Sequence, residues 1–188
     1  MIHHPSGPPR RTVLKTAVGL AIAQAAIGAT GAAAAEPPPA KAGDFDFLAG
    51  SWKIKHRRLP SPGAAWDLFE GEATCWTILA GVASIEELRI PARKFSGMGL
   101  RLLDPEARVW TDYWVNGRGG VLTPPGQMGR FENGVGTFTA DDMDGDKPIK
   151  VRGIWDNISP TTCRWRQGVS TDGGTTWDEN WIMDWTRA

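Results

Sequence analysis

The chain has 188 residues, 21 basic and 21 acidic side chains, no formal net charge, and ten Trp beside a single Tyr. That length suits one domain, and the sequence carries no footprint of the clustered basic surface by which nucleic-acid-binding proteins are recognised, so no nucleic-acid partner is expected. With only three His, two of them at positions 3 and 4, it is poorly supplied for a His-based zinc or iron centre.

Residues 1–35 read as an export signal, with PPRRTVLK, then the weakly apolar TAVGLAIAQAAIGATG, then the small-residue run AAAAE. Arg10 and Arg11 are adjacent and stand just before Val13, Leu14 and Lys15, the arrangement of a twin-arginine signal. A spanning helix needs about 20 strongly apolar residues, and the Gly and polar interruptions here do not supply them. Cleavage after Ala35 is expected to leave no stable membrane anchor and a periplasmic or secreted product. It removes three of the 21 basic residues and none of the 21 acidic ones, so the mature chain has a net charge of −3 and His56 as its one His.

EPPPAKAG, over 36–43, is a polar linker. DFDFL, over 44–48, reads as a short helical or turn segment that tucks Phe45, Phe47 and Leu48 against a core. From Ser51 onward apolar residues recur at period two, with turn clusters every eight to twelve residues, the all-β pattern. The expected strands are Trp52–Arg57, Leu68–Leu79, Ala83–Arg89, Gly97–Leu103, Val109–Val115, Gly129–Glu132, Gly136–Ala140, Ile149–Asn157, Cys163–Ser170 and Trp177–Arg187. DPEA, ENG, DGDKP, SPT and DGG between them are tight-turn sequences. About ten consecutive antiparallel strands leave two open edges unless the sheet closes, so an up-and-down β-barrel over 44–188 is the expected architecture.

Alternation assigns faces. Cys163, Trp165, Gln167 and Val169 point inward against Arg164 and Arg166, and Trp52, Ile54 and His56 point inward against Lys53, Lys55 and Arg57. The last strand mixes polar and apolar residues on both faces and is left without an orientation. Cys75 and Cys163 are compatible with a disulfide in an oxidising compartment and equally with two buried thiols.

FDFLAGSW, GMGLRLLDPEARVWTDYW, RFENGVGTF and RWRQGVSTDGGTTWDENWIMDWTR, in that order, resemble a family of exported bacterial proteins described as lipocalin-like or calycin-like and classed as a domain of unknown function. The resemblance covers about Asp44 to Arg187. It implies a barrel with a central cavity and implies no reaction. STDGGTTW, over 170–177, fits the Asp-box pattern. One copy without an internal period points to a self-braced hairpin turn and not to a propeller.

Most of the Trp are expected to fill the interior, with Trp52, Trp76, Trp114, Trp155 and Trp165 as candidate walls of a ligand cavity. Arg101, Arg152 and Gln167 are candidate polar anchors. An Arg among apolar residues needs a carboxylate or a ligand anion once buried, and Glu86 or Glu87 are the carboxylates at hand. His56, Tyr113 and Glu86 are candidate proton-transfer groups; a haem ligand at His56 ranks below that role. No nucleophile elbow, phosphate loop, dinucleotide fingerprint or paired-Cys metal motif follows Ala35, so no cofactor and no metal is expected. The leading expectation is therefore a barrel that binds a small hydrophobic or aromatic molecule in its lumen. The alternatives are a cofactor-independent lyase, isomerase or hydrolase in the same cavity, and a filled barrel with a structural role.

Expressed in a bacterium with a working twin-arginine pathway, the chain should appear in the periplasm shortened at Ala35. Replacing Arg10 and Arg11 together by Lys should hold the full-length precursor in the cytoplasm, as mass spectrometry of the two fractions would show. A shortened periplasmic product from the double variant would refute the twin-arginine reading.

Overall fold

The computed structural model describes residues 38–188; the export signal expected over residues 1–35 lies outside them. Ten strands follow in chain order: β1 (Gly50–Arg58), β2 (Asp67–Ile78), β3 (Ala83–Ile90), β4 (Phe95–Asp104), β5 (Val109–Asn116), β6 (Gln127–Glu132), β7 (Val135–Asp144), β8 (Lys147–Asp156), β9 (Thr162–Ser170) and β10 (Asp178–Arg187). Each pairs antiparallel with its neighbour in sequence, and β1 pairs with β10 to close the barrel. The expected all-β, up-and-down barrel is what forms. β7 runs four residues beyond the expected Ala140, to Asp144, because the DGDKP turn lets both arms of its hairpin continue pairing, out to Asp144 opposite Lys147.

Short connections dictate this topology. At the tip of the β6–β7 hairpin Asn133 and Gly134 have φ of 50° and 78°, the left-handed pair that matches the twist of the flanking strands and that Asn-Gly supplies at low cost. The STDGGTTW turn between β9 and β10 is braced by its own side chains. Asp172 accepts hydrogen bonds from Ser170 Oγ at 2.7 Å, Thr176 Oγ1 at 2.6 Å and the Thr176 backbone N–H at 2.9 Å. The Trp177 indole closes the turn by donating to the Gly174 carbonyl at 3.0 Å. The Thr176 hydroxyl and N–H, with Ser170, hold the Asp172 carboxyl well below the usual carboxylate range.

Inside, the barrel has two unlike halves. One end is plugged by the segment that precedes β1, where a 3-10 turn at Asp46–Leu48 brings Phe45 and Leu48 into full burial. Phe45 meets Trp110 and Phe131 edge-on, each with ring centroids 5.0 Å away, the favoured arrangement of aromatic quadrupoles. Trp52, Trp155, Trp185 and Phe138 complete this floor. The Trp52 indole donates to the Leu48 carbonyl at 2.7 Å, and Arg187 of β10 donates to the carbonyls of Phe47 and Ala49. These bonds tie the plug to both strands that close the barrel. Cys75 and Cys163 are buried in the same cluster as free thiols.

Leu48 is 0% exposed, so its truncation leaves a cavity that packed neighbours cannot collapse. Leu48→Ala is expected to lower the unfolding free energy by about 2–5 kcal/mol, measured as a shift in the urea midpoint with the slope unchanged. A loss below about 0.5 kcal/mol would mean that the plug is not part of the cooperative fold.

Candidate functional site

Above the aromatic floor the lumen is left open as a cavity of about 550 Å³. Interior residues of β3, β4 and β5 give it a charged wall, and those of β8, β9 and β10 an aromatic one. The segment Thr123–Gln127, leading into β6, borders it on one side, and Asp141 and Asp142 of β7 lie at its rim.

The charged wall centres on Arg101, whose residue is 4% exposed. Its Nη2 donates to Glu86 Oε2 at 2.5 Å, and its Nε lies 3.5 Å from Asp112 Oδ1. Gly99, two residues back on the same face, makes room for this pair. A Cβ there would stand 3.0 Å from Arg101 Nη2 and 3.2 Å from Glu86 Oε2. Burial opposes the guanidinium's charge, but Asp112 and Glu86 outweigh it and hold Arg101 firmly protonated. Behind it the guanidinium lies 5.3 Å from the Phe45 ring centroid and 5.1 Å from that of Trp155. Arg101 and Glu86 are each 4% exposed in their side chains, whereas that of Asp112 is 17% exposed. Asp112 is thus the member of the cluster that faces the cavity. Burial, assisted by repulsion from Glu86, pushes its carboxyl up to about 6 against the pull of Arg101 and of the Trp155 indole.

Trp165, Trp181 and Trp185 line the part formed by β9 and β10, Trp155 of β8 reaches the Arg101 guanidinium, and Trp114 of β5 lies nearer the solvent. Trp155 and Trp185 lie 5.5 Å apart, and Trp165 meets Trp181 edge-on at 6.0 Å. Gln167 also lines this wall, and its Nε2 donates to Asn180 at 3.0 Å.

The expected site residues divide accordingly. Arg101, Glu86, Trp114, Trp155, Trp165 and Gln167 come together around the cavity, and the inward faces expected for β1 and β9 are observed. Trp52 points inward but belongs to the floor, where the plug covers it, and so does not line the cavity. Trp76 is on the outer face and 46% exposed, since inward positions on β2 fall to Ala73 and Cys75. Arg152 is likewise outside, its guanidinium 4.2 Å from the Trp177 ring, because alternation along β8 turns Val151, Gly153 and Trp155 inward. With Arg101 held by Glu86, neither Arg is the free cation that a ligand carboxylate or phenolate would seek.

The three expected proton-transfer groups are not assembled. Glu86 is spent on Arg101. Tyr113 borders the cavity with the opposite strand parity to Asp112 and Trp114, its ring close to Gly126. His56 is buried to one side, stacked on Phe69 at 4.5 Å, and accepts a hydrogen bond from the Trp181 indole on Nδ1 at 3.2 Å. That bond places the imidazole proton on Nε2, which has no partner among the described residues. Burial, assisted by Arg93, lowers the His56 pKa to about 4. Burial also pushes the Cys75 thiol up to about 12 and raises that of Cys163, so neither is an activated nucleophile. Among the described residues no group of three or more His, Cys, Asp or Glu is placed to hold a metal ion.

Sequence reasoning missed Asp112, Trp181 and Trp185. A signal for Asp112 existed: if Trp114 faces the lumen, alternation places Asp112 beside it and Tyr113 outside. Trp181 and Trp185 were hidden by a bulge. Gly168 opposes Glu179 while Gln167 opposes Trp181, so Asn180 is the extra residue and the inward parity changes there.

No protein-family model and no curated protein matches the chain. Among solved structures it is similar to a protein of unknown function from the DUF3598 family of Nostoc punctiforme, with 12% identity and a TM-score of 0.45. The match covers 85% of this chain and 53% of that one, so the chain spans about half the length of that structure.

The raised Asp112 carboxyl has a signed consequence for stability. Between the ordinary carboxylate value of 3.8 and about 6 the folded state holds a proton that the unfolded chain has released, so this residue's contribution falls as pH rises. The stability of the protein relative to its Asp112→Asn variant should therefore decline from pH 4 to pH 6.5 and level off above, in denaturant titrations at each pH. A difference that instead rises over this range would show Arg101 to be the dominant influence on Asp112.

Proposed function

We propose that the protein binds a small hydrophobic or aromatic molecule in the barrel lumen. The observation that carries this reading is the cavity itself: about 550 Å³, within the range of roughly 300–1,000 Å³ common for ligand sites, and walled by indole rings with a few polar groups at one side. A barrel with a purely structural role would gain more by filling this volume, since dispersion contacts are lost along the lining of a void.

The resemblance of the chain to exported calycin-like proteins agrees with a lumenal ligand. Together with Arg10, Arg11 and the Ala-rich run that follows, it supports action in the periplasm. One observation favours a second reading, a cofactor-independent lyase, isomerase or hydrolase: Asp112 faces the cavity with its carboxyl raised to about 6, where a general acid or base is most effective near neutral pH. On that reading Asp112, and not His56 or Glu86, carries the proton.

The test uses N-phenyl-1-naphthylamine, a neutral apolar dye that fluoresces on leaving water. Titrated into the protein, it should saturate at one equivalent, and Val151→Trp, which places bulk in the lumen, should weaken binding by at least about tenfold. Trp76→Ala, on the exposed outer face, should leave binding unchanged. Equal binding to Val151→Trp and the parent, or loss of binding in Trp76→Ala, would locate the dye on the outside and refute a lumenal site.

A further inference from the structure

The charge of the lining says what kind of molecule the lumen selects. Four of the lining residues are acids, Glu86, Asp112, Asp141 and Asp142, against the single base Arg101. Two of these charges are neutralised locally: Glu86 by Arg101 at 2.5 Å, and Asp141 by Lys150 at 2.5 Å on the outer rim. Asp142 at the mouth has no cationic partner among the described residues, and Asp112 in the depth shares Arg101 with Glu86 and is approached by the Trp155 indole. Asp112 does lie near Arg101, but Glu86 holds the shorter contact.

Accessibility sharpens this asymmetry. Nε and Nη1 of Arg101 and the indole N–H groups of Trp155 and Trp185 are fully enclosed, so a molecule in the cavity does not reach them. The charged group it meets in the depth is the carboxylate of Asp112. One N–H of the Gln167 amide is engaged by Asn180. The site thus encloses its one cationic side chain, Arg101, and exposes a carboxylate. Around it the indole rings of β8, β9 and β10 present negative π surface, and two of those rings already take a cation: Arg58 lies 4.9 Å from the Trp181 ring and Arg101 5.1 Å from that of Trp155.

Resting on the reading of the lumen as a ligand site, we infer that its ligand is a cation, an apolar or aromatic body carrying a protonated amine or quaternary ammonium. The ammonium sits between Asp112 and the indole wall, where a carboxylate partner and cation–π attraction act on the same charge in partly desolvated surroundings. The apolar body fills the space lined by Ile149, Val151 and Val169. A ligand anion in that position would face Asp112 with the guanidinium out of reach.

The experiment compares three probes of one shape on the full chain at pH 7.5 by isothermal calorimetry: 4-phenylbutylamine as the cation, 4-phenylbutan-1-ol as the neutral form and 4-phenylbutanoate as the anion. The amine should bind at least about tenfold more tightly than the alcohol, with the anion weakest. In Asp112→Asn the amine's advantage over the alcohol should shrink to within about threefold. Equal binding of amine and alcohol, or tighter binding of the anion, overturns the charge inference and leaves the lumen standing as an apolar site. If none of the three binds, the lumenal site falls, and the charge inference with it. The comparison among probes on the parent protein stands even if the variant fails to fold.

Discussion

Closing ten antiparallel strands into one barrel sets a volume problem that the rest of the molecule answers. Eight strands enclose an interior that side chains just fill, and the diameter grows with strand number, so a ten-stranded barrel has room to spare. Large side chains and a plug from outside the sheet fill one end. Phe45, Phe47 and Leu48 enter from the segment before β1, and Trp52, Trp110, Trp155, Trp185 and Phe138 pack around them. The abundance of Trp follows from this demand. The other end is not filled, and Gly99 and Gly153 on inward positions widen it.

The second constraint is the charge carried into that interior. Arg101 could not remain buried alone, since a lone ion in a low-dielectric core costs several kcal/mol on the order of its hydration loss. Glu86 supplies the close partner, Gly99 the space, and the rings of Phe45 and Trp155 a favourable face behind. What this arrangement leaves over is Asp112, a carboxylate within reach of the same guanidinium but second in line for it. The chemical character of the cavity, an acid beside an indole wall, is a by-product of how the buried Arg is accommodated. The same principle works on the outside, where Asp156 accepts from Arg164 at 2.7 Å and from Arg166 at 3.0 Å, and where Arg152 rests on Trp177. Arg101, Arg152, Arg164 and Arg166 are thus each matched to a carboxylate or a ring.

Much of this was legible in the residues. Period-two alternation and tight-turn sequences are local signals, and they specify ten antiparallel strands, the plug, and the inward faces of β1 and β9. The Trp52–Ile54–His56 face is a case where polarity alternates cleanly over several residues. Where strand faces were misjudged, the cause is visible. Trp76 and Arg152 were chosen for residue type, the one aromatic and the other charged, although Cys75 and Trp155 on the same strands already placed them outward. On β10 the alternation itself is interrupted: the extra residue at Asn180 changes parity within the strand, so neither face of the linear pattern is purely apolar.

The sequence by itself determined the fold class, the closure of the sheet and the composition of the interior, because these depend on interactions between near neighbours along the chain and on the burial demand of ten strands. It did not determine which end of the barrel is filled, which carboxylate takes Arg101, or which Trp rings pack against one another. Those are contacts between strands that adjoin only after closure, as when β3, β4 and β5 bring Glu86, Arg101 and Asp112 onto one wall. Their outcome turns on differences of an ångström in distance, 2.5 Å for Glu86 against 3.5 Å for Asp112. Only the tertiary structure holds those distances, and they make one carboxylate a structural partner and leave the other facing the cavity.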